Sequence, residues 1–264
     1  MDFSINIFEE LLKGLLYHGY SFYKIKDYQN INSLKSVLLR HDVDKLPNNA
    51  LNLAQIENSL NIKGTYYFRM TSESYDIELM RKIEDLGHEI GYHYENINFV
   101  LDKLSNVKKS KQIDKEKLVD LAYYNFHLNL EKFKKNFKIE TISMHGSPRS
   151  NYDNKLIWDK YNYYDLGIIC EPYLDIDYHN IAYFTDTGRC WNGKNVNVRD
   201  KVKSSFSFNF KSTHRFISQI PELPNNLAIT FHPQRWNNNL IMWYREMFFQ
   251  SIKNIIKKNY YVTD

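Results

Sequence analysis

The sequence predicts one α/β domain, built as an incomplete (β/α) barrel or as an open doubly wound sheet. Short apolar or β-branched runs alternate along the chain with segments of helical periodicity, and this alternation is typical of βα units. The chain has 264 residues, which suits one barrel-sized domain, and 43% of them are hydrophobic, enough for a sizeable core. We therefore expect a single domain over residues 1–264.

Seven segments are predicted as strands. Each is a short run rich in apolar, β-branched or aromatic residues, as expected for strands that are largely buried. They are Val37–Arg40, Gly64–Met70, Glu89–His93, Ile139–Met144, Leu166–Cys170, Ile181–Phe184 and Leu227–Phe231. Helical patterns occupy several of the intervals between them.

Four longer segments are predicted as helices: Asn49–Leu60, Ile77–Leu86, Asp114–Phe137 and Leu240–Lys258. In the last two, apolar side chains recur at steps of three and four, as on one face of a helix. These stripes are Val119, Tyr123, Phe126, Leu130 and Phe133 in the third helix, and Ile241, Tyr244, Phe248, Ile252 and Ile255 in the fourth. Both stripes are expected to face the core. The segment from Asp186 to Pro224 has less pattern and is expected to form long loops.

Charge and composition argue against nucleic acid as a partner. The formal net charge is only +4, from 35 basic and 31 acidic residues, and no basic stripe is interleaved with aromatic residues. The apolar run Phe8–Tyr17 is interrupted by charged residues, so neither a signal peptide nor a transmembrane segment is expected. With only Cys170 and Cys190 available for a disulfide, a reduced, cytoplasmic setting is the simplest expectation.

Ionisable side chains gather where the predicted strands end. The stretch RHDVDK, Arg40–Lys45, follows the first apolar run, and histidines lie at the ends of three later strands. In a (β/α) barrel the carboxyl ends of the strands form one face, where active sites are built. Six side chains are therefore expected to converge on that face: His41, Asp42, Asp44, His93, His145 and His232.

This predicted cluster contains the side chains of a metal site. Carboxylate and imidazole ligands suit zinc, or another first-row ion such as cobalt, manganese or nickel, with one coordination position left open. Asp42 and Asp44 are close enough in sequence for one to bind the cation while the other takes a proton. A metal in such a site lowers the pKa of water and polarises an acyl oxygen, as hydrolysis of an amide or ester requires.

Three stretches carry a family resemblance: RHDVD at Arg40–Asp44, GHEIGYH at Gly87–His93 and LAITFHP at Leu227–Pro233. In this order they resemble the first, second and last motifs of the polysaccharide deacetylase superfamily, the NodB-homology or carbohydrate esterase family 4 type. The resemblance covers most of the chain, Val37 to Trp236. It implies a distorted (β/α)7 barrel.

The resemblance also implies roles for single residues. Asp42 falls on the general base, Asp44 on a metal ligand and His93 on the first metal histidine. His232 falls on the histidine that serves as general acid. The second metal histidine of the family follows the first by four residues, and this chain has Ile97 there, so the likeness is to a divergent branch.

Two roles therefore need substitutes. His145, in SMHGSPRS, is the preferred third metal ligand because it ends the neighbouring strand, and Glu95 is the alternative. The arginine that orients the base in relatives is also displaced, so Arg40 or Arg149 is expected to take its place.

The ligand candidates also have purely structural interpretations. Asp42 and Asp44 suit a turn after a strand followed by a helix cap. His93 could be a hydrogen-bonded core histidine, and His145 could contact substrate instead of metal.

Arg149, Trp191 and Trp236 are candidates for substrate binding. The two indoles lie in predicted loops near the presumed active face, where they could contact an acetyl methyl group or stack on a sugar ring. Packing in the core or in a lid is an equal alternative for both.

The motifs and the cluster together predict a metal-dependent hydrolase that removes an N-acetyl or similar acyl group from a sugar or polysaccharide precursor. Its partner would be a carbohydrate or nucleotide-sugar substrate. Two alternatives stay open. One is an amidohydrolase acting on a small non-sugar amide, since a fold does not fix its substrate. The other is a non-catalytic carbohydrate-binding relative that has lost the metal.

Overall fold

The computed structural model describes residues 1–107, 114–146, 150–192 and 202–260. Within these ranges seven strands form one parallel sheet. They are β1 (Ser21–Tyr23), β2 (Ser36–Val43), β3 (Thr65–Phe68), β4 (Glu89–Tyr94), β5 (Ile142–Met144), β6 (Ala182–Thr185) and β7 (Asn226–Phe231). Their order is β5-β4-β3-β2-β7-β6, and β1 pairs with the first half of β2. The prediction of a mixed α/β fold is thus confirmed, as a curled parallel sheet compatible with a barrel-like fold.

Eight α-helices lie between and around these strands in the described ranges. They are α1 (Ile5–Tyr17), α2 (Pro47–Ser59), α3 (Ile77–Asp85), α4 (Asn96–Val107), α5 (Lys115–Lys134), α6 (Pro172–Asp175), α7 (Thr213–Ser218) and α8 (Leu240–Tyr260). All four predicted helices are present with ends shifted by a few residues, whereas α1, α4, α6 and α7 were not predicted. Short 3₁₀ turns complete several connections, including Pro233–Arg235 directly after β7.

One predicted strand is wrong. Residues 166–170 do not form a strand, because a 3₁₀ turn ends at Leu166 and Gly167 follows it with a positive φ of 72°. Only Cys170 returns to the sheet, through a single parallel bridge to Thr141. Among the described residues, no strand joins β5 to β6, so the sheet stays open along that side.

Side chains of the parallel strands alternate between two environments, because successive residues of a strand point to opposite faces. On the outer face, Val37 and Leu39 of β2 pack in a large apolar cluster with residues of α1. On the inner face, Leu38 packs with Tyr67 in a smaller cluster. Gly91 of β4 is required on this inner face, because an added Cβ there would collide with the Tyr67 ring.

The two predicted apolar stripes lie in different surroundings. In α5 the stripe faces the core as predicted, and Phe126, Leu130 and Phe133 are fully buried. In α8 the prediction is wrong, because Ile241 and Phe248 are among the most exposed large apolar side chains of the described chain. In the described part of the protein, α8 included, no helix combines the length and apolar character needed to cross a membrane.

Candidate metal centre and acid–base groups

Three predicted ligands meet at the carboxyl ends of β2, β4 and β5. One ligand atom each from Asp44, His93 and His145 lies within 4.8 Å of the other two. Asp44 Oδ1 is 3.4 Å from His145 Nε2 and 3.8 Å from His93 Nε2. Because β4 and β5 are parallel neighbours, their last inward-facing residues point into the same space. The structure therefore brings together the three residues predicted to bind a metal.

Hydrogen bonding fixes the orientation of the His93 ring. Its Nδ1 lies 2.9 Å from the carbonyl oxygen of Ser143, so Nδ1 carries the proton and donates it to that carbonyl. The unprotonated Nε2 then lies 3.8 Å from Asp44 Oδ1. Burial lowers the pKa of His93 to about 4, which leaves the ring neutral near pH 7. A neutral imidazole held from behind by a carbonyl is the usual state of a metal ligand.

Asp44 presents one carboxylate oxygen to the two histidines. Its Oδ2 accepts a hydrogen bond from Gln234 Nε2 at 2.9 Å, whereas the buried Oδ1 has no hydrogen-bond partner among the described residues. Burial alone would raise the pKa of Asp44, but His145, His232, His93 and Arg69 outweigh it and lower the pKa. Asp44 is therefore ionised, with one oxygen available to a cation.

Glu95, the alternative third ligand, lies behind His145. Arg69 binds both oxygens of Glu95 through Nη2, at 2.8 and 2.7 Å, and Glu95 Oε2 is 3.0 Å from His145 Nδ1. Burial would raise the pKa of Glu95, but His145 and Arg69 lower it to about 2. This carboxylate orients His145 and leaves its Nε2 for the triad, so the geometry favours His145 as the ligand. Ile97 is buried in α4, consistent with its inability to coordinate.

The chemistry of these donors fits a divalent metal. Two imidazole nitrogens and one carboxylate oxygen are the donors of many zinc sites that leave a coordination position open. The buried Oδ1 of Asp44 is a second observation that fits a cation, because it has no hydrogen-bond partner among the described residues and lies 3.8 and 3.4 Å from the two histidine Nε2 atoms. Bound metal would satisfy that oxygen together with His93 Nε2 and His145 Nε2.

Asp42, the predicted base, is paired with Arg40 on the inner face of β2. Arg40 Nε and Nη2 donate to the two oxygens of Asp42, each at 2.7 Å, and both side chains are buried. The Tyr173 ring lies 4.7 Å from the guanidinium. Asp42 Oδ2 is 3.6 Å from His93 Nε2, which places the carboxylate beside the triad. Arg40 thus orients Asp42, while Arg149, the other arginine considered, lies outside the described residues.

His232, the predicted acid, is bound to Asp186 at the ends of β7 and β6. His232 Nδ1 lies 2.6 Å from Asp186 Oδ1, and the backbone N–H of His232 donates to Oδ2 at 3.0 Å. Arg235 and Trp236 also donate to Asp186, at 2.6 and 2.7 Å. Burial alone would raise the pKa of Asp186, but Arg235 and His232 lower it. The Nε2 of His232 is the ring nitrogen that remains for a ligand.

Sequence reasoning missed Asp186, Arg69 and Gln234. Asp186 follows a correctly predicted strand directly, so the strand-end rule that selected the histidines would also have selected it. Arg69 directly follows the observed β3 and lies one residue before the end of the second predicted strand. Gln234 had no such signal, because its contact with Asp44 depends on the 3₁₀ turn after β7.

His41 does not join the cluster, so one of the six predicted members is wrong. It lies between Arg40 and Asp42 on β2, and the alternation of a strand directs it to the opposite face. There its Nε2 lies 2.7 Å from Glu57 Oε1 of α2, and its ring stacks on Tyr66 at 4.1 Å. Both members of this pair are fully buried.

Trp191 and Trp236 do not offer a surface for a sugar. Neither has exposed area, and both belong to the outer apolar cluster. Their indole N–H groups are used inside the protein, by Thr213 Oγ1 and by Asp186. The packing alternative is therefore the one observed, and the predicted stacking role is corrected for both rings. Arg149, the third predicted substrate contact, lies outside the described residues.

Comparison with known proteins assigns no family. No family model matches this chain, and no curated protein sequence matches it. The side chains at the strand ends therefore carry the functional inference.

Proposed function

We propose that this chain is a metal-dependent hydrolase that removes an N-acetyl or similar acyl group from a sugar or polysaccharide precursor. One observation carries the proposal: the Asp44, His93 and His145 triad has Asp42 and His232 beside it, each held by its own buried counter-charge. A metal site with a base and an acid next to it has the groups needed for amide hydrolysis.

The same proposal includes membership of a divergent branch of the polysaccharide deacetylase superfamily, with its distorted (β/α)7 barrel, and a cytoplasmic location. The three motifs and the parallel order of the sheet support the proposed family membership. Two departures from the family pattern also have physical substitutes. His145 stands where a third ligand is needed, and Arg40 orients the base.

Asp44, His93 and His145 would hold the cation, zinc in the first instance. When bound there, a divalent cation supplies Lewis acidity, which polarises an acyl oxygen and lowers the pKa of water. Gln234 and the Ser143 carbonyl keep the Asp44 carboxylate and the His93 ring in place from behind. Such supporting contacts commonly decide the affinity of a metal site.

Asp42 would act as the general base. Arg40 donates one hydrogen bond to each carboxylate oxygen of Asp42, and each oxygen keeps a further lone pair that can accept a proton from the attacking water. The pair with Arg40 also holds the carboxylate in one orientation, which is what proton transfer over hydrogen-bond distance requires.

His232 would act as the general acid. Asp186 accepts a hydrogen bond from the Nδ1–H group and stabilises the charged ring, so Nε2 is the atom that donates a proton to the amine nitrogen as the C–N bond breaks. The water oxygen ends in acetate and the nitrogen leaves as a free amino sugar, so the reaction balances as one amide plus one water.

The decisive assay is acetate release from N-acetylhexosamines by the zinc-reconstituted protein, compared with Asp42→Asn. We expect turnover to fall about 10²- to 10⁴-fold in the variant, because a positioned base is lost. Asp85→Asn is the matched control, since Asp85 is exposed at the end of α3 and should leave turnover unchanged. Full activity in Asp42→Asn would remove Asp42 from the mechanism.

A panel of small cyclic amides run beside the sugars separates the substrate classes. Turnover of cyclic amides with none of the sugars would replace the carbohydrate substrate by a non-sugar amide. Absence of bound zinc after reconstitution, with turnover of neither class, would favour the non-catalytic carbohydrate-binding relative that has lost the metal.

A further inference from the structure

One face of the C-terminal helix α8 is apolar and exposed. Along it six large side chains are between 40% and 79% exposed: Ile241, Tyr244, Phe248, Phe249, Ile252 and Ile255. They recur at steps of three and four and form a continuous stripe about 20 Å long at 1.5 Å per residue. Apolar surface of this extent on one element marks an interaction site, whereas single exposed apolar residues need no explanation.

The opposite face of α8 is attached to the protein by polar contacts. Trp243 Nε1 donates to the carbonyl of Asp2 at 2.6 Å, and Asn254 Nδ2 donates to the carbonyl of Gly188 at 2.8 Å. Glu246 pairs with Lys45 at 3.6 Å. Surface helices of globular proteins normally bury their apolar face and expose the polar one. In α8 the arrangement is reversed, so its apolar stripe is not part of the core.

The charges of α8 are almost all positive. The helix contains four basic residues, Arg245, Lys253, Lys257 and Lys258, and a single acidic residue, Glu246. Glu246 is mostly buried and engaged with Lys45. The outward surface of the helix therefore combines an apolar stripe with basic side chains, which is the composition of helices that lie in the interface of an anionic bilayer.

We infer that α8 docks this protein on an anionic lipid bilayer, with the apolar stripe in the headgroup boundary and the basic side chains on lipid phosphates. Charge complementarity favours this occupant over a second copy of the chain. A symmetric contact along the stripe would bring the basic side chains of two copies together, with both Glu246 carboxylates already paired. Anionic lipid instead attracts each lysine or arginine near its surface.

Docking through α8 would bring the candidate metal centre close to the bilayer. Lys45 directly follows Asp44, and Gly188 lies two residues after Asp186, so the inner face of α8 rests on loops that carry site residues. One helix diameter, about 10 Å, then separates these loops from the lipid. The inference is independent of the proposed reaction, because lipid binding needs neither metal nor turnover.

Co-sedimentation of the full chain with vesicles tests this inference. We expect at least tenfold stronger binding to phosphatidylcholine vesicles that contain about 30% phosphatidylglycerol than to phosphatidylcholine alone, and loss of that preference in high salt. Phe248→Glu combined with Ile255→Glu should weaken binding at least tenfold. Lys253→Glu should weaken it less and reduce its dependence on salt.

A matched control places the same charges elsewhere. Tyr17→Glu combined with Leu34→Glu changes two side chains that are 87% and 83% exposed and are not part of α8, and it should leave binding unchanged. Light scattering of each variant reports the oligomeric state. Absence of vesicle binding, or equal binding by the α8 variant, would overturn the inference. So would a dimer that Phe248→Glu with Ile255→Glu converts to a monomer, because the stripe would then be covered by a second copy.

Discussion

Two histidine–carboxylate pairs lie on opposite faces of the same sheet. On the inner side, His232 Nδ1 is 2.6 Å from Asp186 Oδ1, and on the outer side, His41 Nε2 is 2.7 Å from Glu57 Oε1. By distance and residue type the two pairs are nearly the same. They differ in two respects. His232 Nδ1 forms a hydrogen bond with Asp186, whereas neither His41 Nε2 nor Glu57 Oε1 has a hydrogen-bond partner among the described residues. The surroundings of the second ring nitrogen differ as well.

His41 is enclosed on every side. Tyr66 and Phe231 stack against its ring, and its Nδ1 is buried with no hydrogen-bond partner among the described residues. His232 keeps a small exposed area, and Asp186 is fixed by Arg235 as well as by His232. A histidine beside a carboxylate is therefore a candidate acid only where its other nitrogen can reach a ligand. The His41 pair belongs to the folded core, and the His232 pair belongs to the site.

Replacing His232 by alanine should give the largest effect, and that effect should be on turnover. We expect turnover to fall about 10²- to 10⁴-fold, because the proposed general acid is lost. Zinc content should stay at the wild-type level, since His232 is not a member of the triad. Acetate release and metal analysis on one preparation check both statements. Undiminished turnover would contradict the role of His232.

Replacing Glu57 by alanine should instead lower the free energy of unfolding. Removal of one partner leaves His41 and the Tyr66 hydroxyl buried without their carboxylate, a change that typically costs about 3–5 kcal/mol. Urea unfolding measures the loss, and the remaining folded protein should retain its turnover. Glu9→Ala is the control, because its exposed pair with Lys13 contributes about 0.5 kcal/mol or less. A loss near that of the control would mean that the Glu57 pair is not structural.

His93, which belongs to neither pair, has a lowered pKa that should make the metal-free protein sensitive to acid. Burial lowers its pKa from 6.5 to about 4, so the unfolded chain binds the proton first. The contribution of neutral His93 to the free energy of unfolding is complete above about pH 6.5. It is lost as the pH falls toward 4, and the loss reaches about 3 kcal/mol. Urea unfolding of the metal-free protein and of His93→Gln across this range should give a flatter profile for the variant. Parallel profiles would contradict the lowered pKa.

Of these changes, replacing Gln234 by alanine should have the smallest effect. It holds Asp44 Oδ2 from the turn that follows His232, so Gln234→Ala should weaken zinc binding about 10- to 100-fold without abolishing it. Competition with a chelator measures the affinity. Gln219→Ala is a matched control, because Gln219 lies at the end of α7 and is not part of the site. Equal affinity in the two variants would show that Asp44 does not need this support.

Much of the site could be predicted from the sequence because it depends on strand ends. Asp44, His93 and His145 each follow an apolar run, and parallel strands bring such positions to one edge. His41 was misassigned because convergence was inferred from position in the chain alone. The alternation along β2 would have separated it from Asp42, and the strand-end rule would have added Asp186.

Other features depend on tertiary packing that no local pattern encodes. The stripes of α5 and α8 have the same periodicity, yet Phe126 is buried and Phe248 is exposed, because periodicity reports amphipathic character and not what covers it. Trp236 could not be placed for the same reason, since its burial depends on the cluster around α1.

Metal analysis of the purified protein after zinc reconstitution tests the central claim most directly. We predict close to one equivalent of zinc in the wild type and in His41→Gln, and less than about a tenth of an equivalent in His93→Ala, because only the second variant removes a member of the triad. Less than a tenth of an equivalent in the wild type, or an unchanged zinc content in His93→Ala, would contradict a metal centre at these strand ends.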